Sequence, residues 1–108
     1  MIHIDFLTPE GTLSLLGLRV AGHAGWGEEG GDIVCAAVSS AAYLVVNTVT
    51  EVLAVTPLAL RAEEGDLFFR IEERDEPACR TLLQGLKLHL CQLEDQYPQH
   101  IRVDYMEV

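Results

Sequence analysis

The hydrophobic patterning of this 108-residue chain predicts an α+β fold. The expected architecture is a two-layer sandwich: a five-stranded sheet, mixed or antiparallel, with two helices on one face, in the order ββαββαβ. Three observations lead there. Stretches that alternate polar and apolar residues, as strands with one buried face do, stand at both ends of the chain and in its middle. Two longer stretches repeat at helical spacing instead. Short clusters of Gly, Pro, Asp and Glu separate them, with no repeat, linker or low-complexity run, so one domain over residues 1–108 is expected.

Taken in order, Met1–Leu7 is the first strand, with Ile2, Ile4 and Phe6 on one side and His3, Asp5 and Leu7 on the other. "TPEG" turns the chain, and Leu13–Ala21 reads as a second strand paired to the first. After a glycine-rich loop, Asp32 is a good N-cap for a long helix running to about Leu53. Pro57 disfavours helical geometry at Thr56 and so marks its end. "PLALRAEEGDLFFRIEE" has the pattern of a hairpin, with Leu58, Leu60 and Ala62 on one strand, Leu67, Phe69 and Ile71 on the other, and "EEGD" between. Asp75 or Glu76, followed by Pro77 in the first turn, opens the second helix. Its Cys79, Leu82, Leu83, Leu86, Leu90 and Leu93 recur at three and four, a single buried face. Pro98 stops it, and "HIRVDYMEV" is the closing strand. The sheet face away from the helices would then carry Leu13, Leu15, Phe68 and Met106 among charged residues, a surface on which a homodimer is expected.

Composition narrows the function. About half the residues are hydrophobic, and 17 acids against 7 bases leave a net charge of −10. That argues against a nucleic-acid binder, which needs cations to displace counterions from phosphates, and suits a basic protein partner. Ile33–Thr50 carries no charge and approaches the length of a membrane span. Ser40, Asn47 and Glu51 nevertheless mark a polar stripe along it, and Asp32 and Glu51 flank it where basic anchors would be expected. A buried helix of a soluble domain, and no membrane partner, is the expectation. The start of the chain alternates without a basic segment or a small-residue cleavage site, so no signal peptide is expected. Three cysteines without paired spacing fit the reducing cytoplasm.

The chemistry concentrates in "GHAGWGEEGGDIVCAAVSS", residues Gly22–Ser40, which places five of the nine glycines within the ten positions Gly22–Gly31, beside His23 and ahead of Cys35. With Asp32 as N-cap, Cys35 falls in the first helical turn, where free backbone N–H groups and the helix dipole stabilise a thiolate. The same N–H groups can hydrogen-bond the oxyanion that forms during acyl transfer. His23, at the end of the preceding strand, supplies a general base, and cysteine with histidine is the minimal nucleophilic pair. Ser39, four residues on, shares the helix face of Cys35. Each residue also has an inert reading: a small core cysteine, a surface histidine, glycines that only make turns. No metal site is expected. Cys79 and Cys91 would lie about 18 Å apart along one helix, too far to share a zinc ion or a disulfide. "GWGEEGG" lacks a Walker lysine and the glycine spacing of a dinucleotide site, so no cofactor is expected.

Gly22-His23-Ala24-Gly25, a glycine-bearing loop ending in Gly30 or Gly31, and then Asp32-Ile33-Val34-Cys35-Ala36-Ala37-Val38-Ser39 resemble the signature of the ribosomal-processing cysteine protease family, Prp. The match is long and specific over about a fifth of the chain; elsewhere the resemblance is in length and element order. It implies a small sandwich that forms homodimers, and an endopeptidase that removes a short N-terminal extension from large-subunit ribosomal protein twenty-seven. By carry-over Cys35 is the nucleophile and His23 the base, with Asp32, Ser39, Gly22, Gly25 and Gly31 in supporting positions. Trp26, with Glu28 and Glu29, departs from the pattern. Residues Ala24–Gly31 would act as a lid whose glycines permit closure, with Trp26 as an apolar surface for substrate. Asp32 is expected to cap the helix, with orientation of His23 as the other use of its carboxylate. The rival class is a non-enzymatic ribosome-assembly or peptide-binding module that uses the same loop as a clamp.

Overall fold

The computed structural model describes residues 1–23 and 31–108. They form β1 (Ile2–Thr8), β2 (Gly17–Gly22), α1 (Gly31–Asn47), β3 (Ala59–Glu63), β4 (Asp66–Arg70), α2 (Glu76–Gln96) and β5 (Ile101–Glu107). The five strands make one mixed sheet in the order β3-β4-β2-β1-β5. Only β1 and β5 run parallel; every other pair is antiparallel. The expected ββαββαβ sandwich is therefore present.

Register follows from the alternation. Ile4 lies opposite Val20 and Val103, and Phe6 opposite Leu18 and Tyr105, so apolar rows cross β1, β2 and β5 on one face. Leu18 in turn faces Phe69 on β4. Val34, Val38, Val45 and Val46 of α1 and Cys79, Leu83, Leu86, Leu90 and Leu93 of α2 join these side chains in one core. With the turn that extends it to Val52, α1 is long and apolar enough to cross a bilayer. Its row Val34, Val38, Ala42, Val45, Val46 and Val49 is nonetheless buried, in the core that holds Ile4 and Phe6.

The helices end for local reasons. The last turn of the first one, Thr48–Val52, widens to π geometry, with the Leu53 N–H bonded to the Thr48 carbonyl at 2.9 Å. Thr48 and Thr50 donate their hydroxyls to the carbonyls of Leu44 and Val46, four residues back, a bond that bends helices. The second helix opens with a 3₁₀ turn, Glu73–Asp75. The largely buried Glu76 carboxylate then receives two bonds from the Arg80 Nε at 2.9 Å, one to each oxygen. The hydrogen bonds from Arg80 hold this carboxyl below its ordinary range against the opposing effect of burial.

Two expectations need correction. The second strand begins at Gly17, not Leu13. Adjacent Leu15 and Leu16 are both buried, whereas neighbours in a regular strand point to opposite faces. The Leu16 backbone instead bridges two elements: its N–H donates to the Leu7 carbonyl at 2.8 Å, and its carbonyl accepts from the Ile71 N–H at 2.7 Å. The apolar patch proposed for the outer face consequently does not assemble: Leu15 is in the core, Leu13 lies outside any strand, and Phe68 and Met106 are half-buried against the core. Finally, Leu58 and Leu60 are 54% and 46% exposed while Leu67, Phe69 and Ile71 are buried. β3 is an edge strand, so its inward row gains less cover than that of β4.

Gly17 shows how tightly β2 and β4 approach. Its φ is +147°, and a Cβ placed there would sit 1.8 Å from the Phe69 carbonyl oxygen. Gly17→Ala must therefore part the two strands, and a loss of about 3 kcal/mol is expected from backbone strain and overpacking together. Urea unfolding measures it; a midpoint equal to that of the parent protein would contradict this account of the strand contact.

Candidate active site

The site is built by the pairing of β2 with the hairpin. Ala21 lies opposite Asp66, and one residue further the Gly22 N–H donates to the Gly65 carbonyl at 3.0 Å. His23 follows directly and is exposed at the end of the strand. The β3–β4 turn, Glu64-Gly65, is thereby brought against the histidine.

On the other side stands the start of α1. Gly31 is the first described residue of this helix, and Asp32 already lies within its first turn, so Asp32 is not the N-cap. Cys35 is half-buried, packed against the core. Cys35, Ser39 and Tyr43 recur every fourth residue and so share one stripe of the helix.

Between these elements is a cleft of about 320 Å³. It is lined by Gly22, His23, Gly31, Asp32, Cys35 and Ser39, six of the residues singled out from the sequence. Gly25 and Trp26, and with them most of the proposed lid including Glu28 and Glu29, lie outside the described residues. Sequence reasoning missed Tyr43 and the hairpin residues Glu63, Glu64, Gly65 and Asp66, which also line the cleft. Tyr43 was legible, since it continues the spacing of Cys35 and Ser39. The hairpin was not, because nothing in the sequence says that its second strand pairs with the strand leading to His23.

The cleft is acidic, with Asp32, Glu63, Glu64 and Asp66 around it. Asp66 is also tied to its own sheet, through Arg61 at 2.8 Å and Arg19 at 3.9 Å. Among the described residues no group of three His, Cys, Asp or Glu side chains is arranged to hold a metal ion. The other two cysteines lie on α2, outside the cleft. Burial pushes the Cys79 thiol up, and Asp75 and Glu76 push it further. Burial does the same to Cys91, with Glu94 adding to it. Both are held in the protonated form, which is neither nucleophile nor metal ligand. A thiol, an imidazole and an open groove between a helix start and a hairpin suit attack on an extended chain.

Comparison with known proteins agrees with this chemistry. The family model for cysteine protease Prp matches residues 1–102. The ribosomal processing cysteine protease Prp of Bacillus subtilis (strain 168) is 32% identical over 94 residues, covering 82% of this chain and 84% of that protein. The crystal structure of the essential ribosomal processing protease Prp from S. aureus with a substrate peptide superimposes with a TM-score of 0.85 at 25% identity, over 98% of this chain and 100% of that one. The same S. aureus protease with a covalently linked product peptide gives a TM-score of 0.83 at 26% identity, with the same coverage. Since the family match spans nearly all of the sandwich that builds the cleft, and relatives of similar length share both sequence and fold, the chain belongs to the cysteine protease Prp family.

Proposed function

We propose that this protein is an endopeptidase that removes the N-terminal extension of large-subunit ribosomal protein twenty-seven, with Cys35 as nucleophile and His23 as general base. The observation that carries the reading is that a thiol and an imidazole from separate elements line one cleft. Its relatives support the substrate class, since they bear the name of ribosomal processing proteases and one of them has been crystallised with a covalently linked product peptide. Charge is in keeping: ribosomal proteins must neutralise RNA and are basic, and the carboxylates around the cleft attract a basic chain.

In the reaction His23 takes the Cys35 proton as the sulfur bonds to the scissile carbonyl carbon. Backbone N–H groups in the first turn of α1 are available to the oxyanion that forms. The tetrahedral intermediate expels the amine of the downstream segment, which takes the proton from the imidazolium, and the extension remains as a thioester on Cys35. Water, deprotonated by His23, attacks that thioester; the extension leaves as a carboxylic acid and the thiol regains its proton. Asp32 and Ser39 support the cleft side of the helix, and Tyr43 extends its wall. The protein works in the cytoplasm, where its ribosomal substrate is made. It does so as a homodimer, formed through exposed apolar residues that follow one another from α1 to β3, among them Leu44, Leu58 and Leu60, in place of the outer sheet face.

Three outcomes are expected. Cys35→Ala protein retains its fold and no longer cuts a peptide spanning the extension junction, while His23→Ala is slower by about 10²–10⁴-fold. Full cleavage by Cys35→Ala protein would refute the protease mechanism, and binding without cleavage by the parent protein would favour a peptide clamp. Brief iodoacetamide labelling at neutral pH, read by mass spectrometry, modifies Cys35 before Cys91 and Cys79, because burial keeps the latter two protonated. Faster labelling of either α2 cysteine would contradict that order. Sedimentation velocity finds twice the mass of the 11.9 kDa chain, and Leu44→Glu with Leu60→Glu halves it; a monomeric parent protein disproves the dimer.

A further inference from the structure

We propose that Gly65, at the tip of the β3–β4 hairpin, is a positioning residue for His23: the side chain it lacks is the space the imidazole occupies. A Cβ built on Gly65 would lie 2.9 Å from His23 Nε2, 3.1 Å from Cε1 and 3.8 Å from Cδ2. At 2.9 Å the ring must shift, since real Cβ atoms essentially never come that close, and at 3.1 Å it must give by a few tenths of an ångström. The backbone on which that Cβ would stand is itself anchored. The Gly65 carbonyl accepts the Gly22 N–H at 3.0 Å, and Asp66 is paired to Ala21 in the β2–β4 ladder. The ring therefore rests against a surface fixed to the same strand that carries it, and the hairpin sets how far the imidazole can turn from the cleft.

This inference rests on His23 being the general base. It differs from the ordinary reason for a glycine in a hairpin turn, which is backbone conformation. Gly65 has φ +75°, in the left-handed region where L side chains other than Asn and Asp are strained. The two requirements separate by substitution. Asn tolerates this φ and adds no charge, but it carries a Cβ. Charge matters because the cleft around His23 also holds Asp32 and Cys35 from α1 and Glu63, Glu64 and Asp66 from the hairpin.

The test measures kcat and KM for the junction peptide, and the pH profile of Cys35 alkylation, in the parent protein, Gly65→Asn, His23→Ala and the double variant. If Gly65 positions the ring, Gly65→Asn melts near the parent temperature yet loses about 10-fold in kcat, less than the roughly 10²-fold of a 1 Å misplacement because the ring shifts by less than that, with KM little changed. Its alkylation profile shifts toward that of His23→Ala, and adding Gly65→Asn to His23→Ala costs nothing further. If Gly65 serves only the turn, Gly65→Asn keeps parental kcat and profile, and the proposal is overturned. Equal losses from Gly65→Asn with and without the imidazole overturn it as well. An alkylation profile that His23→Ala leaves untouched brings down the assignment of His23 as base, and the proposal with it. Gly65→Ala, assayed well below its own melting temperature, gives the same comparison should the Asn protein not fold.

Discussion

The antiparallel pairing of β2 with β4 holds the rest of the arrangement in place. Through it Leu18 meets Phe69 and Val20 meets Leu67, which joins the β3–β4 hairpin to the central strands and extends the inner face that the helices cover. The close approach at Gly17, where no Cβ fits, fixes one end of the ladder. The bond from the Gly22 N–H to the Gly65 carbonyl fixes the other. Once both ends are set, the hairpin tip has no freedom to stand anywhere but beside His23.

The same pairing separates stability from chemistry along each element. On α1 Val34 is wholly buried in the core and Val38 and Ala42 form the buried floor of the cleft, while Cys35, Ser39 and Tyr43, one position further on, line its more open side. A helix can serve both purposes because neighbouring stripes diverge by about 100° per residue. The thiols divide in the same way. Cys79 lies within the core, where desolvation opposes charge, whereas Cys35 is only half-covered. The packing stops at the cleft, where helix, strand end and hairpin leave a gap.

Much of this was legible in the chain. The alternation of Ile2, Ile4 and Phe6, the three-four spacing of Cys79 through Leu93, and the turn residues at Gly65 and Pro77 identified each element and its buried face, because those features are local. The misreadings also have local causes. Leu13 and Leu15 fit an alternating strand on paper, but Leu15 and Leu16 both enter the core and the strand starts only at Gly17. Asp32 has the composition of a cap, yet it already stands inside the first turn, a margin that sequence signals do not resolve. The outer-face patch failed because it depended on that strand boundary.

By itself the sequence determined the types and order of the elements and the family, and it singled out His23 and Cys35 as candidates, since all of these reside in short contiguous stretches: periodicity, turn chemistry and one dense motif between Gly22 and Ser40. Only the tertiary structure decided which strands are neighbours. That choice placed β3 at an exposed edge, closed a cleft around His23 and Cys35, and brought Gly65 from more than forty positions away in the chain to the face of the imidazole. Strand pairing is a non-local match of whole faces, settled by burying the sheet under two helices at once, and no window of the sequence contains it.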